Sequence, residues 1–182
     1  LIAGGIGGRP SFAPGPRDQR LLDHRRDILR FTTPPLTEAV EVVGEVTVTA
    51  HVTAEAFDGD LVARLIDVYP DGRAMGVTDG IVRLRYRNGM DDPQPLKPGE
   101  VVEVTVDLVG TAHAFREGHR IRVDIAGSDF PKYDRNSGTA KPVAEVTEAD
   151  LRPFTQRIYF DATRPSYLTL PVVSAPTAPV SA

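Results

Sequence analysis

Val46-Thr47-Val48-Thr49-Ala50-His51-Val52-Thr53 alternates apolar and polar side chains without a break. A period of two puts Val46, Val48, Ala50 and Val52 on one face and Thr47, Thr49, His51 and Thr53 on the other, which predicts a half-buried strand. The β-branched residues that dominate the run suit a pleated backbone. Working outward, strands begin near Val40, and a further one is read at Leu61 to Tyr69. The turn residues Pro70-Asp71-Gly72 follow, then Met75 to Arg87, where Asp79-Gly80 predicts a bulge or tight turn. Pro93, Pro95, Pro98 and Gly99 mark a long connection before a further strand at Val101 to Val109. Gly118 opens another, with Ile121, Val123 and Ile125 on its apolar face. Thr155 to Phe160 and Tyr167 to Val172 close the series.

Helix is scarce. Short helical stretches are expected at Asp18 to Arg26, at Ala112 to Phe115, and at Glu145 to Leu151, the last capped by Thr147. No repeat of fixed period is present, which removes propellers and solenoids. Roughly eight or nine strands joined by long connections predict an all-β fold, a jelly-roll β-sandwich with few short helical turns. The Gly/Pro-rich residues 1–26 are expected as an arm and linker, 27–173 as the sandwich domain, and 174–182 as a disordered tail.

The 182 residues, 41% of them hydrophobic, fit one domain with its own core. A net charge of -4 and a pI near 5.6 argue against nucleic acid as a partner. Arg64, Arg83, Arg85 and Arg87 cluster in sequence, but acidic residues lie among their neighbours. Cysteine is absent, so thiol catalysis, disulfides and thiolate metal sites are excluded. No apolar run approaches the roughly 20 residues of a membrane helix. The compartment stays open, with the cytoplasm favoured. The chain starts at Leu1 rather than Met, and we expect it to be a piece of something longer. Arginine outnumbers lysine, and Ala, Val and Pro are abundant, a composition that points to a bacterial source.

A nucleophile elbow needs Gly-x-Ser-x-Gly, and Ser11, Ser128 and Ser137 all lack glycines at that spacing. No catalytic residue is therefore assigned. His113 and His119 have room to converge across a turn, against the simpler reading that each packs locally. His51, on the threonine face, is expected to be exposed. Asp58-Gly59-Asp60 resembles the start of a calcium loop but lacks its further ligands, so a structural turn is preferred and no metal is assigned. Nor is any cofactor. Phe130 and Tyr133, in the loop Ser128 to Asn136, are expected to anchor that loop on the core. Phe12 is a large apolar side chain in the Gly/Pro-rich arm and needs a surface to bury it.

Several blocks in order resemble one family. They are Asp18-Gln19-Arg20, Arg26-Asp27-Ile28-Leu29, Thr32-Thr33-Pro34-Pro35-Leu36 and Val42-Val43-Gly44. Asp67-Val68-Tyr69-Pro70-Asp71-Gly72-Arg73, Asp79-Gly80-Ile81-Val82-Arg83 and Gly118-His119-Arg120 continue the series. Phe130-Pro131-Lys132-Tyr133-Asp134-Arg135-Asn136 and Pro165-Ser166-Tyr167-Leu168-Thr169-Leu170-Pro171 complete it. Together they resemble the C-terminal jelly-roll domain, galactose-binding-like, of the cocaine-esterase and X-prolyl dipeptidyl-peptidase family of serine hydrolases, over about Gly4 to Val173. After Asn136 the family often runs toward Asn-Thr-Gly, whereas Ser137-Gly138-Thr139 follows here.

The resemblance implies that the chain is inactive alone and serves an α/β-hydrolase catalytic domain of the same polypeptide, which holds the Ser, Asp and His triad. It implies a small ester, amide or X-prolyl peptide substrate, bound through that domain, and leaves room for a homo-oligomer. Phe12 is the candidate for a substrate contact, by position. The alternative function is a free-standing carbohydrate-binding module, since jelly rolls also bind sugars; the absence of tryptophan speaks against it.

Overall fold

The computed structural model describes residues 15–173. The strands are β1 (Ile28–Thr32), β2 (Val40–Ala54), β3 (Asp60–Val68), β4 (Ala74–Arg83), β5 (Val102–Phe115), β6 (Arg120–Ala126), β7 (Gln156–Tyr159) and β8 (Tyr167–Thr169). Among the described residues, helix is confined to 3-10 turns at Gln19–Leu22, Leu84–Tyr86, Val143–Glu145 and Glu148–Asp150. Among the described residues, no helix is long and apolar enough to cross a membrane.

One sheet has the order β1-β6-β3-β4, the other β5-β2-β7, with β8 also pairing with β2. All pairings are antiparallel. The connections from β1 to β2, β2 to β3, β4 to β5, β5 to β6 and β6 to β7 all pass from one sheet to the other. That switching makes a jelly-roll sandwich rather than a meander.

The core follows from the period-two run. Val46, Val48, Ala50 and Val52 are buried and meet Leu61, Ala63 and Leu65 of β3 together with Val123 and Ile125 of β6. Each such side chain contributes on the order of 1.5–3 kcal/mol on leaving water. β3 is buried on both faces, because a polypeptide segment and a loop lie over its outer side as well. Between its charged positions Asp60, Arg64 and Asp67, the strand is therefore apolar on both faces.

The sandwich is sealed where β4 approaches β5. The Thr78 hydroxyl donates to the Leu108 carbonyl. A Cβ built on Gly80 would overlap the Asp107 carbonyl, so only glycine fits. The regular ladder through Asp79 and Gly80 corrects the expected interruption there; the register shift lies at Leu65/Ile66 instead. β4 ends at Arg83 and gives way to the Leu84–Tyr86 turn, shorter than the strand expected to Arg87.

β5 corrects a second expectation, since Ala112 to Phe115 is strand, not helical turn. The break read near Val109 is a bulge inside a longer strand. Val109 takes φ 65, its N–H donates to the Asp107 carboxylate at 2.7 Å, and the register with β2 shifts between Glu45 and Thr47. Thr147 caps as expected, forming a reciprocal capping box with Asp150. The Asp18 to Arg26 helix shrinks to one 3-10 turn, with the Asp18 side chain accepting from the Arg20 backbone.

Candidate functional site

The outer face of the β1-β6-β3-β4 sheet carries a row of charge. Arg30 of β1 registers with Asp124 of β6, Asp124 with Arg64 of β3, and Arg64 with Asp79 of β4. Signs alternate across all four strands, so each charge has opposite neighbours. Asp124 is 1% exposed and Arg64 4%, which makes pairing obligatory.

Two segments clamp onto this row through their own charges. Asp23 lies 3.3 Å from Arg30 and 2.8 Å from Arg122. Asp129 pairs with Arg64, and Lys132 donates to Asp79 at 2.5 Å. Burial works to lower the Lys132 pKa, but the bond to Asp79 and nearby carboxylates carry it above the ordinary lysine range. The bond between Arg64 and Asp129 uses one nitrogen and one oxygen; among the described residues, Arg64 Nε and Asp129 Oδ2 are buried with no partner.

The Ser128–Asn136 loop is thus pinned by charge. Phe130 is 58% exposed, with the Arg135 guanidinium over its ring at 5.5 Å, and Tyr133 has Lys132 beside it at 5.2 Å. This corrects the expectation that the aromatics anchor the loop; Asp129 and Lys132 do so. Asn136 completes the attachment, donating to Asp60 at 2.8 Å while accepting from the Gly138 N–H at 2.9 Å.

Asp58 and Asp60 face guanidiniums. Asp58 accepts from the Arg85 backbone N–H at 3.0 Å and from Nε at 2.6 Å, and Arg83 Nε donates to Asp60 at 2.9 Å. Arg85 spends its remaining nitrogens on the Thr139 and Lys141 carbonyls. Arg64, Arg83 and Arg85 of the arginine cluster each meet a carboxylate, while Arg87 donates to the uncharged Leu84 and Gln94 carbonyls.

His113 and His119 do converge, on a residue that the sequence left among strand positions. Asp67 accepts from His113 Nε2 at 3.0 Å and from His119 Nδ1 at 2.8 Å. Tyr69 stacks on His119 with centroids 4.4 Å apart, and Phe115 meets His113 edge-on at 4.7 Å. Gly118, at φ +78, makes the turn that brings His119 back. Asp67 follows Leu61, Ala63 and Leu65 on the inward face of β3, and a carboxylate in an apolar row is the signal that marks it. The bridge orients two imidazoles and links β3, β5 and the turn before β6.

Among the described residues, the Ser137 and Ser166 hydroxyls are engaged in structural bonds. Ser166 donates to the Tyr159 carbonyl at 2.5 Å and accepts the His51 N–H at 3.0 Å, while Ser137 bonds Thr139 at 2.9 Å. His51 is half-buried rather than exposed, its Nδ1 2.9 Å from the Pro165 carbonyl oxygen. Phe12 lies outside the described residues.

Fold and contacts define a jelly-roll module whose polar side chains are spent on bracing its own loops and sheets. The chain belongs to the family of X-Pro dipeptidyl-peptidase C-terminal non-catalytic domains, whose profile matches residues 8–169. It is 42% identical over 159 residues to the cocaine esterase of Rhodococcus sp. (strain MB1 Bresler), covering 87% of this chain and 28% of that protein. Among solved structures it resembles an α-amino acid ester hydrolase at a TM-score of 0.82 and 37% identity, over 86% of this chain and 27% of that one. An aminopeptidase from a marine sediment Thaumarchaeota archaeon matches at 0.82 and 33%, with the same coverages. The chain therefore spans just over a quarter of the length of these relatives.

Proposed function

We propose that this chain is the accessory part of an α/β serine hydrolase, where it braces the catalytic domain and helps wall a pocket for an ester, amide or X-prolyl peptide. The observation that carries this is the coverage: most of this chain aligns with only 27–28% of relatives named as an esterase, an ester hydrolase and an aminopeptidase. The acyl-transfer chemistry then belongs to the remaining part. The charge-pinned loops and the His113-Asp67-His119 bridge support a scaffold role, since rigid loops hold a neighbouring domain in fixed geometry. Phe12 is assigned to the pocket wall.

Comparing the complete polypeptide with a version ending before Leu1 tests the reading. Removing this chain lowers the melting temperature and raises KM for an activated ester. Phe12→Ala in the complete polypeptide raises KM about tenfold, the size expected for one lost apolar contact. Unchanged stability and kinetics after truncation overturn it.

A further inference from the structure

The sealed β4–β5 edge of the sandwich has an open counterpart. Leu29 and Phe31 of β1 register with Ile125 and Val123, so they face the space between the sheets. They remain 44% and 42% exposed. Phe160, 68% exposed, packs edge-to-face on Phe31 with centroids 5.7 Å apart. Behind this pair a cleft of about 280 Å³ runs between the sheets, floored by Val48, Ala50, Val123, Ile125, Ile158 and Leu168.

No charged side chain lines the cleft. Its one small hydroxyl, Ser166, is already bonded to Tyr159 and His51. Asp161 and Arg164, just beyond Phe160, neutralise each other at 2.6 Å. The site therefore asks for an apolar occupant, and an exposed aromatic patch continuous with the core marks an interaction surface. The relatives extend well beyond this chain, which spans 27–28% of them, and that length supplies the partner.

We propose that this open edge is the seat of the catalytic part of the longer polypeptide, which lays an apolar side chain against Phe31 and Phe160 at the mouth of the cleft. The inference rests on the accessory-domain reading above. Hydroxyl-radical footprinting tests it by comparing the 182-residue chain with the complete polypeptide. Phe31, Phe160 and Tyr167 oxidise about tenfold more slowly in the complete polypeptide, as desolvated interface residues do, while they react freely in the chain alone. Phe160→Asp, which removes the edge-to-face contact, lowers the melting temperature of the isolated chain slightly and that of the complete polypeptide much further. Protection confined to another face, such as Phe130 and Tyr133, overturns the seat and leaves the accessory reading standing. Protection nowhere overturns both. Protection in the isolated chain that grows with concentration identifies a second copy and overturns the seat.

Discussion

Asp67 is 1% exposed and supplies both oxygens of the bridge to His113 and His119. Asparagine at this position presents a single acceptor, so one imidazole nitrogen loses its partner. Asp67→Asn is expected to cost about 2 kcal/mol, the penalty for an unsatisfied buried polar group. Urea denaturation measures it, and a loss below about 0.5 kcal/mol would show that the bridge contributes little. Asp18 gives a pH dependence. The Arg20 guanidinium, with backbone donors from Arg20 and Ala74, holds its carboxyl at about 2 rather than 3.8. A depressed folded pKa means that its stabilisation is present above the unfolded value and is lost as pH falls through about 2. The bond from the Ala74 N–H to Asp18 at 3.2 Å ties the Gln19–Leu22 turn to β4. The protection of the Ala74 amide, its exchange rate relative to an unstructured amide at the same pH, is therefore expected to fall between pH 4 and pH 2, roughly the span of the two pKa values, and Asp18→Asn abolishes that acid step.

At the scale of elements, the charge row explains how an N-terminal segment and a loop are fixed to one sheet. Arg64→Met leaves Asp129 buried without a cation and is expected to cost about 3–5 kcal/mol. Arg64→Met with Asp129→Leu restores most of that loss, because the native pair leaves one nitrogen and one oxygen unpartnered. A thermodynamic cycle by chemical denaturation measures the coupling; additive losses would contradict it. Gly80→Ala forces a methyl into the Asp107 carbonyl and is expected to open the sealed edge, costing more than about 3 kcal/mol. A calorimetric melting temperature equal to that of the unchanged chain would contradict the close approach.

Elements with a local signature were legible. The β2 alternation and the Thr147 capping box each depend on residues near in sequence, and both formed as read. β1 went unread because its five residues, Ile28–Thr32, are too few to show a period and its partners in β6 lie far along the chain. The bulge at Val109 imitates a strand end, which is why β5 looked shorter than it is. The charge row was illegible for a different reason. It joins Arg30, Asp124, Arg64 and Asp79 from four strands, and only the register brings them together.

For the whole molecule, one edge of the sandwich is closed by a glycine and a threonine, and the other is left apolar and open. A module built this way stabilises itself through internal charge pairs, and on the proposed reading its exposed aromatics serve a neighbour. The chemistry is then expected in the neighbour, and a fluorophosphonate probe tests that most directly, because it marks an activated serine covalently. Mass spectrometry of the labelled complete polypeptide should find the adduct before Leu1, and the isolated 182-residue chain should take up none. A stoichiometric adduct on any serine of this chain would contradict the account.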